Sequence, residues 1–230
     1  MKNYDIIGDI HGHADKLERL LKQLGYTKRG EAYQHPDTMA VFLGDFIDRG
    51  PQQCRVIEIV RCMVENGHAL AVMGNHEFNA ICYHTPDPDN MNEFLRPHTE
   101  KNTLQHQQFL NEFPVGHKHT KSVIKWFLTL PMYLELETIA SSSRTSSFIH
   151  IVHACWDQQS IDRLCQHLNS DNQFTRKTLY AATRQGNQVF EAIETLLKGP
   201  EIPLPERASF KDKDGIKRYN IRYKWWSRAM

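Results

Sequence analysis

The sequence predicts an α/β fold built on a parallel sheet. Three observations carry that prediction. Short apolar runs at residues 4–8, 39–43 and 69–73 read as strands, mostly apolar without clean alternation, as strands buried on both faces are. Between the first two, Ala14, Leu17, Leu20, Leu21 and Leu24 form one apolar stripe at helical spacing, closed by Gly25. Between the second and third, Val56, Ile57, Ile59, Val60, Met63 and Val64 form a broader stripe, with Gly67 behind it. Strand and helix alternating in this order imply parallel strands joined by right-handed crossovers.

The remaining elements follow in order. Residues 84–108 are polar and hold three prolines, an excursion from the sheet that turns helical at its end. Val123, Ile124, Phe127 and Leu128 share one face of a helix over 119–129. Alternation predicts a strand over 133–137, and a serine-rich turn over 140–147 leads into a further short apolar strand over 148–152. Helical patterns cover 158–168 and 175–197. Pro200, Pro203 and Pro205 mark an extended connector over 199–210, and a last strand is expected at 221–225. No internal repeat or domain boundary interrupts the 230 residues, so one domain over 1–230 is expected.

Bulk composition excludes several classes. Hydrophobic residues at 40% and charged residues at 24% give an ordinary globular balance with enough chain for a sizeable core. A formal net charge of +1 provides no broad electrostatic surface for nucleic acid or acidic membrane. No apolar run follows the first residues as a signal peptide requires, and none nears the roughly 20 residues of a membrane span. Cys54, Cys62, Cys82, Cys155 and Cys165 are odd in number and widely spaced, which fits reduced thiols in the cytoplasm. None has an arginine six positions on, so the loop of cysteine phosphatases is absent.

The chemistry lies just past the strands. "GDIHG" (8–12) follows the first, "GDFIDRG" (44–50) the second and "GNHE" (74–77) the third, while His153 ends the strand at 148–152. Ligands of open α/β sheets bind beyond the carboxyl ends of the strands, and neighbouring strands about 4.8 Å apart bring such ends to one small site. Asp9, His11, Asp45, Asn75 and His153 supply oxygen and imidazole donors without thiolate, a set suited to manganese, iron or zinc rather than a structural zinc cage. One aspartate shared by two cations lets them sit about 3.5–4 Å apart, with a water between them that loses its proton and attacks. Taken alone, a Gly-Asp is a turn, an Asn-His-Glu a helix start, and an Asp-Arg pair a weak surface ion pair. Three such motifs in order behind three strands are read together.

In that order, "GDIHG", "GDFIDRG" and "GNHE" resemble the calcineurin-like metallophosphoesterases, and the Asp-Arg-Gly form resembles their serine/threonine protein phosphatase-like bacterial branch. The resemblance covers residues 5 to about 157. It implies a two-sheet β sandwich flanked by helices and hydrolysis of a phosphate ester with two divalent metal ions, manganese foremost, iron or zinc as alternatives. The implied substrates are phosphoproteins or small phosphoesters such as diadenosine polyphosphates, with no nucleic-acid or membrane partner. By position, Asp9 and His11 bind one metal, Asp45 bridges, and Asn75 and His153 bind the other. Arg49 grips phosphate oxygens, His76 protonates the leaving oxygen, and Asp48 orients His76.

Two departures shape the expectation. His153 continues as Ala154-Cys155-Trp156-Asp157 where the family has Gly-Gly, and Ala is small enough to keep the turn. The family's later Gly-His motif has no counterpart after His153, and "GHKH" (116–119) precedes a helix instead of following a strand. The chain therefore reads as a domain lacking its last strands. A working two-metal phosphoesterase and a weak or inactive member that keeps only metal or phosphate binding are both carried forward. A nuclease of the same superfamily is disfavoured by the Asp-Arg-Gly motif and the near-neutral charge.

Overall fold

The computed structural model describes residues 3–139, 146–206, 208–211, 215 and 217–226. β1 (Asn3–Ile7) leads into α1 (Ala14–Gln23), then a small hairpin of β2 (Thr27–Arg29) and β3 (Ala32–Gln34). β4 (Thr38–Phe42), α2 (Gln53–Glu65), β5 (Ala69–Ala71) and α3 (Asn75–His84) follow. β1, β4 and β5 form a parallel sheet in that spatial order, with Ile6 opposite Val41 and Val41 opposite Leu70. The predicted strand–helix alternation is therefore present. The three strands alternate between two apolar environments. Ala40, Phe42, Ala69 and Ala71 face the helix-side core, while Val41, Leu70 and Val72 face the other way. With both sides apolar, the period of two leaves no polar mark in the sequence.

The polar excursion leads through α4 (Glu100–Gln105) and α5 (Gln107–Glu112) to α6 (Lys118–Phe127). β6 (Tyr133–Ile139) and β7 (Ser146–Val152) then pair antiparallel, from Tyr133↔Val152 to Ile139↔Ser146. Leu136 and Ile151 of this hairpin pack on Val41 and Val72, with Leu43, Leu70 and Leu134 around them. This is the expected sandwich, three parallel strands against a two-stranded hairpin. A larger core on the opposite face runs from Ile7 to Leu197 and includes the fully buried Leu21, Phe42, Phe46, Met73 and Phe127, each worth about 1.5–3 kcal/mol of apolar burial.

α7 (Gln158–Cys165), α8 (Arg176–Ala181) and α9 (Gln188–Lys198) complete the helices, followed by β8 (Glu201–Pro203), β9 (Phe210–Lys211), β10 (Lys217–Arg218) and β11 (Asn220–Arg222). Three expectations are corrected. The helix expected over 175–197 is two helices, because Gly186 turns with φ 78° and the Asn187 side chain caps the second, accepting from Val189 N at 2.9 Å. The extended connector over 199–210 contains a strand, β8, which pairs with β11 through Ile202↔Ile221. The last strand starts and ends earlier than 221–225. The hairpin β2–β3 was not foreseen, since its first strand is fully exposed and polar. Most of the turn expected over 140–147 (residues 140–145) lies outside the described residues, as do 227–230 of the terminal segment.

The excursion is tied down at two points. Arg184 forks to Asp87 at 2.6 Å and Asp89 at 3.1 Å, and its guanidinium lies 4.3 Å from the Tyr180 ring centre. Arg96 donates to Asn79 at 2.8 Å and to Gln105 at 3.1 Å. Among the described residues no helix is long and apolar enough to cross a membrane. All five cysteines are unpaired.

Candidate metal centre

The loops behind β1 and β4 are laced together by backbone. Ile10 N and His11 N both donate to Asp45 O at 3.0 and 2.9 Å, Gly12 N donates to Phe46 O at 2.8 Å, and Gly50 N donates to His11 O at 2.9 Å. His11, Asp45, Asp48 and Arg49 sit at φ 48°, 54°, 68° and 67°, the left-handed region. The only other described non-glycine residue there is Asn172. Each costs about 1–2 kcal/mol for an L-residue, and such strain persists where surroundings over-determine it. It gathers here at predicted site residues, two of them ligands.

Four strand tips converge on one carboxylate oxygen. His11 Nδ1 donates to Ile47 O at 2.9 Å, so in the neutral ring Nε2 carries the bare lone pair. That Nε2 is buried with no hydrogen-bond partner, 3.6 Å from Asp9 Oδ2 and 3.7 Å from Asp45 Oδ2. His153 repeats the arrangement. Its Nδ1 donates to Leu43 O at 2.6 Å, and Nε2 faces Asp45 Oδ2 at 3.5 Å and Asn75 Oδ1 at 3.2 Å. Two donor sets, His11–Asp45–His76 and Asp9–Asp45–His153, each bring their atoms within 4.8 Å of one another, and Asp45 belongs to both. Imidazoles anchored by one nitrogen to a backbone carbonyl, with the other turned onto carboxylates, are the arrangement of metal-ligating histidines.

The electrostatics point the same way. Burial works against ionisation of Asp45, yet His153, His76 and the His76 backbone N–H, which donates to Asp45 Oδ1 at 3.0 Å, hold its carboxyl below the ordinary range. Burial likewise opposes a charged His153, but the Asp45 carboxylate and the Leu43 carbonyl raise it to about 9. In the metal-free protein a proton on His153 stands where a cation would compensate the same charge. Asp9 is the exposed member, held low chiefly by His11.

Glu77 braces this geometry from below. Fully buried on α3, it accepts from Asp45 N at 2.7 Å, Phe46 N at 2.8 Å and Gly74 N at 3.0 Å. It thus caps its own helix and clamps the bridging loop to it. Gly74 makes the close approach possible, since a Cβ there would overlap Asp45 N and Oδ1 and lie 2.7 Å from Glu77 Oε2. Gly44 turns at φ 89° against Gly74 in the same gap. Gln53 pins the other end of the loop, accepting from Asp48 N at 2.7 Å and donating to Gly50 O. Glu112 then caps α2 by accepting from Gln53 N and Cys54 N, both at 2.8 Å.

His76 lies beside the carboxylates and 4.7 Å from His11, ring centre to ring centre. Its Nδ1 donates to Asp48 Oδ2 at 2.6 Å, and Nε2 is 3.9 Å from Asp45 Oδ2. Burial lowers the basicity of His76, but the bond to Asp48 and the charge of Asp45 outweigh it, so its pKa is raised. Asp48 is buried and held low by His106 and His76 against the cost of burial. Arg49 is exposed at the rim and makes no hydrogen bond or ion pair among the described residues.

All eight predicted site residues thus lie in or beside one cluster. Sequence reasoning gave Glu77 no role, although a glycine cap with glutamate three residues on is a capping-box signal. His106 is buried and donates from Nδ1 to Asp48 Oδ1 at 2.8 Å, and burial lowers His84 to about 4. Trp156 stacks on His150 at 4.1 Å. Burial and the Asp157 charge push the Cys155 thiol up to about 11, which suits packing and not attack. His119 of "GHKH" packs on Phe113.

A sandwich carrying this carboxylate–imidazole centre at its strand ends defines a metallophosphoesterase class. The chain belongs to the calcineurin-like phosphoesterase family, whose profile matches residues 3–204. A bis(5'-nucleosyl)-tetraphosphatase PrpE (asymmetrical) of Oceanobacillus iheyensis is 34% identical over 137 residues, 59% of this chain and 52% of the relative. One from Halalkalibacterium halodurans is 46% identical over 74 residues, 32% of this chain and 30% of the relative. The chain thus spans about half or less of the length of these curated relatives. Among solved structures, a protein serine/threonine phosphatase from Saccharomyces cerevisiae aligns with 57% of this chain and 34% of its own, at 21% identity and a TM-score of 0.35.

Proposed function

We propose that this chain is a divalent-metal-dependent phosphoester hydrolase. The observation that carries the reading is the pair of imidazoles, His11 and His153, anchored through Nδ1 to backbone carbonyls with both Nε2 atoms turned on Asp45 Oδ2. The lone pair of His11 Nε2, buried among carboxylate oxygens without a partner, and the His153 Nε2 turned on Asp45 and Asn75 fit a cation. Asp9 and His11 would hold one metal, Asn75 and His153 the other, with Asp45 between. Bound there, divalent cations supply Lewis acidity toward phosphoryl oxygen and lower the pKa of a water. Arg49, exposed and unpaired at the rim, offers its guanidinium fork to phosphate oxygens. His76 gives the proton on Nε2 to the leaving oxygen while Nδ1 stays bonded to the Asp48 carboxylate, which keeps the imidazolium oriented.

The substrate we favour is a dinucleoside tetraphosphate, supported by the bis(5'-nucleosyl)-tetraphosphatase relatives, with phosphoproteins second. Manganese is the first metal to supply, since oxygen and imidazole donors suit it. A cytoplasmic location is supported by five unpaired cysteines. The test is metal content and turnover of purified protein with manganese, on p-nitrophenyl phosphate, diadenosine tetraphosphate and a phosphopeptide. Metal-dependent turnover that Asp45→Asn abolishes supports the reading. Wild-type protein that takes up no divalent ion and turns over none of the three refutes it.

A further inference from the structure

We propose that His106 is a positioning residue of the proton-donating pair, fixing the Asp48 carboxylate so that its other oxygen holds His76. This rests on the hydrolase reading above. Asp48 is buried between two imidazoles, with Oδ2 2.6 Å from His76 Nδ1 and Oδ1 2.8 Å from His106 Nδ1. An ionised carboxylate only accepts, so both Nδ1 atoms donate. A single hydrogen bond leaves such a group free to turn about its Cβ–Cγ bond, whereas one bond on each oxygen sets its plane. That plane sets the direction in which His76 points Nε2.

His106 is itself held rigidly. It sits where α4 meets α5, with its N–H directed to Asn102 O at 3.2 Å and Thr103 O at 3.1 Å. Its ring stacks on Phe109 at 4.7 Å and meets Tyr83 at 5.3 Å and His84 at 5.8 Å. Its Nε2 is buried without a hydrogen-bond partner. An apolar ring would fill this aromatic pocket without leaving that polar atom stranded. The one service imidazole performs here that phenyl does not is donation from Nδ1 to Asp48. The polar excursion therefore contributes to proton delivery. His106 exchanges no proton in the reaction. The proton passes from His76 Nε2 to the leaving oxygen as the P–O bond breaks.

The test compares His106→Phe, which keeps the stack, with His106→Asn, whose amide nitrogen reproduces Nδ1, and His106→Gln, whose amide reaches too far. Turnover is measured on p-nitrophenyl phosphate, whose leaving group needs little protonation, and on an alkyl phosphate, which needs it. The Nδ1–H resonance of His76, assigned by its loss in His76→Gln, is followed in histidine-labelled protein. His106→Phe is expected to lower kcat on the alkyl phosphate by about tenfold or more, with KM and aryl turnover little changed. His106→Asn restores most of the loss, and His106→Gln does not. His106→Phe also shifts or broadens the His76 resonance. Equal losses on both substrates, no advantage of Asn over Gln, or an unmoved His76 resonance would overturn the proposal. The asparagine–glutamine pair decides the matter should His106→Phe not fold. Should the wild type turn over no phosphoester, the hydrolase reading falls, and the resonance alone still decides whether His106 positions His76.

Discussion

Glu77→Gln isolates the brace beneath the metal loop. The glutamate accepts three buried backbone N–H groups, two on Oε2 and one on Oε1. Glutamine puts an NH2 in place of one oxygen. The least damaging orientation places that NH2 against Phe46 N, so one bond is lost and one buried donor faces another. Leaving a buried donor unsatisfied beside a charged acceptor's former place costs about 2–3 kcal/mol. For a chain of this size that is a drop of roughly 5–10 °C in Tm. The assay is urea unfolding of metal-free protein at about pH 8, where the carboxyl is ionised. Burial and the Asp45 charge push the Glu77 carboxyl up, while the backbone donors pull it down. Were it protonated in the native protein, it would already present a donor to one N–H, and glutamine would mimic it. An unchanged midpoint would therefore refute the picture of an ionised brace.

Gly74→Ala forces a Cβ onto the Asp45 backbone and carboxylate, and a displacement of that size should cost at least about a hundredfold in turnover while far-UV circular dichroism stays native. Glu112→Ala strips the anion from the N-terminus of α2 and should lower unfolding free energy by about 1–2 kcal/mol in urea titrations. His84 gives a pH signature. Its imidazole is lowered from 6.5 to about 4, so the unfolded chain binds a proton in that window and the native protein does not. Stability is lost as pH falls from 6.5 to 4, and the His84→Phe variant should lose about 1–2 kcal/mol less across it, allowing for solvent screening. Parallel pH–stability curves for the two proteins would contradict this.

The carboxylate–imidazole cluster was legible because each predicted ligand lies within four residues of an apolar strand's end. A strand tip is a place that sequence can specify locally, and parallel strands bring such tips together without further instruction. His153 was found the same way despite lying 108 positions from Asp45. Glu112 and His106 were not, because their partners, the N-terminus of α2 and Asp48, are reached only once the polar excursion has folded back. Local pattern says nothing of that return. Glu77 was half legible, since its cap is local but its reach to Asp45 and Phe46 is not. The single helix expected over 175–197 failed for a different reason. Apolar spacing lies on both sides, up to Ala182 and again from Val189, and the polar break Thr183-Arg184-Gln185-Gly186-Asn187 between them was outweighed.

The paired forks of Arg96 and Arg184 give the segment between α3 and α5 an architectural character. Fastened to α3 through Arg96 and to the loop after α8 through Asp87 and Asp89, it stands as masonry beside the candidate metal centre, not as a flap hung over it. For the hydrolase proposed above, a substrate would meet a contour already cut, and discrimination would fall to the shape of that contour instead of to closure around the guest.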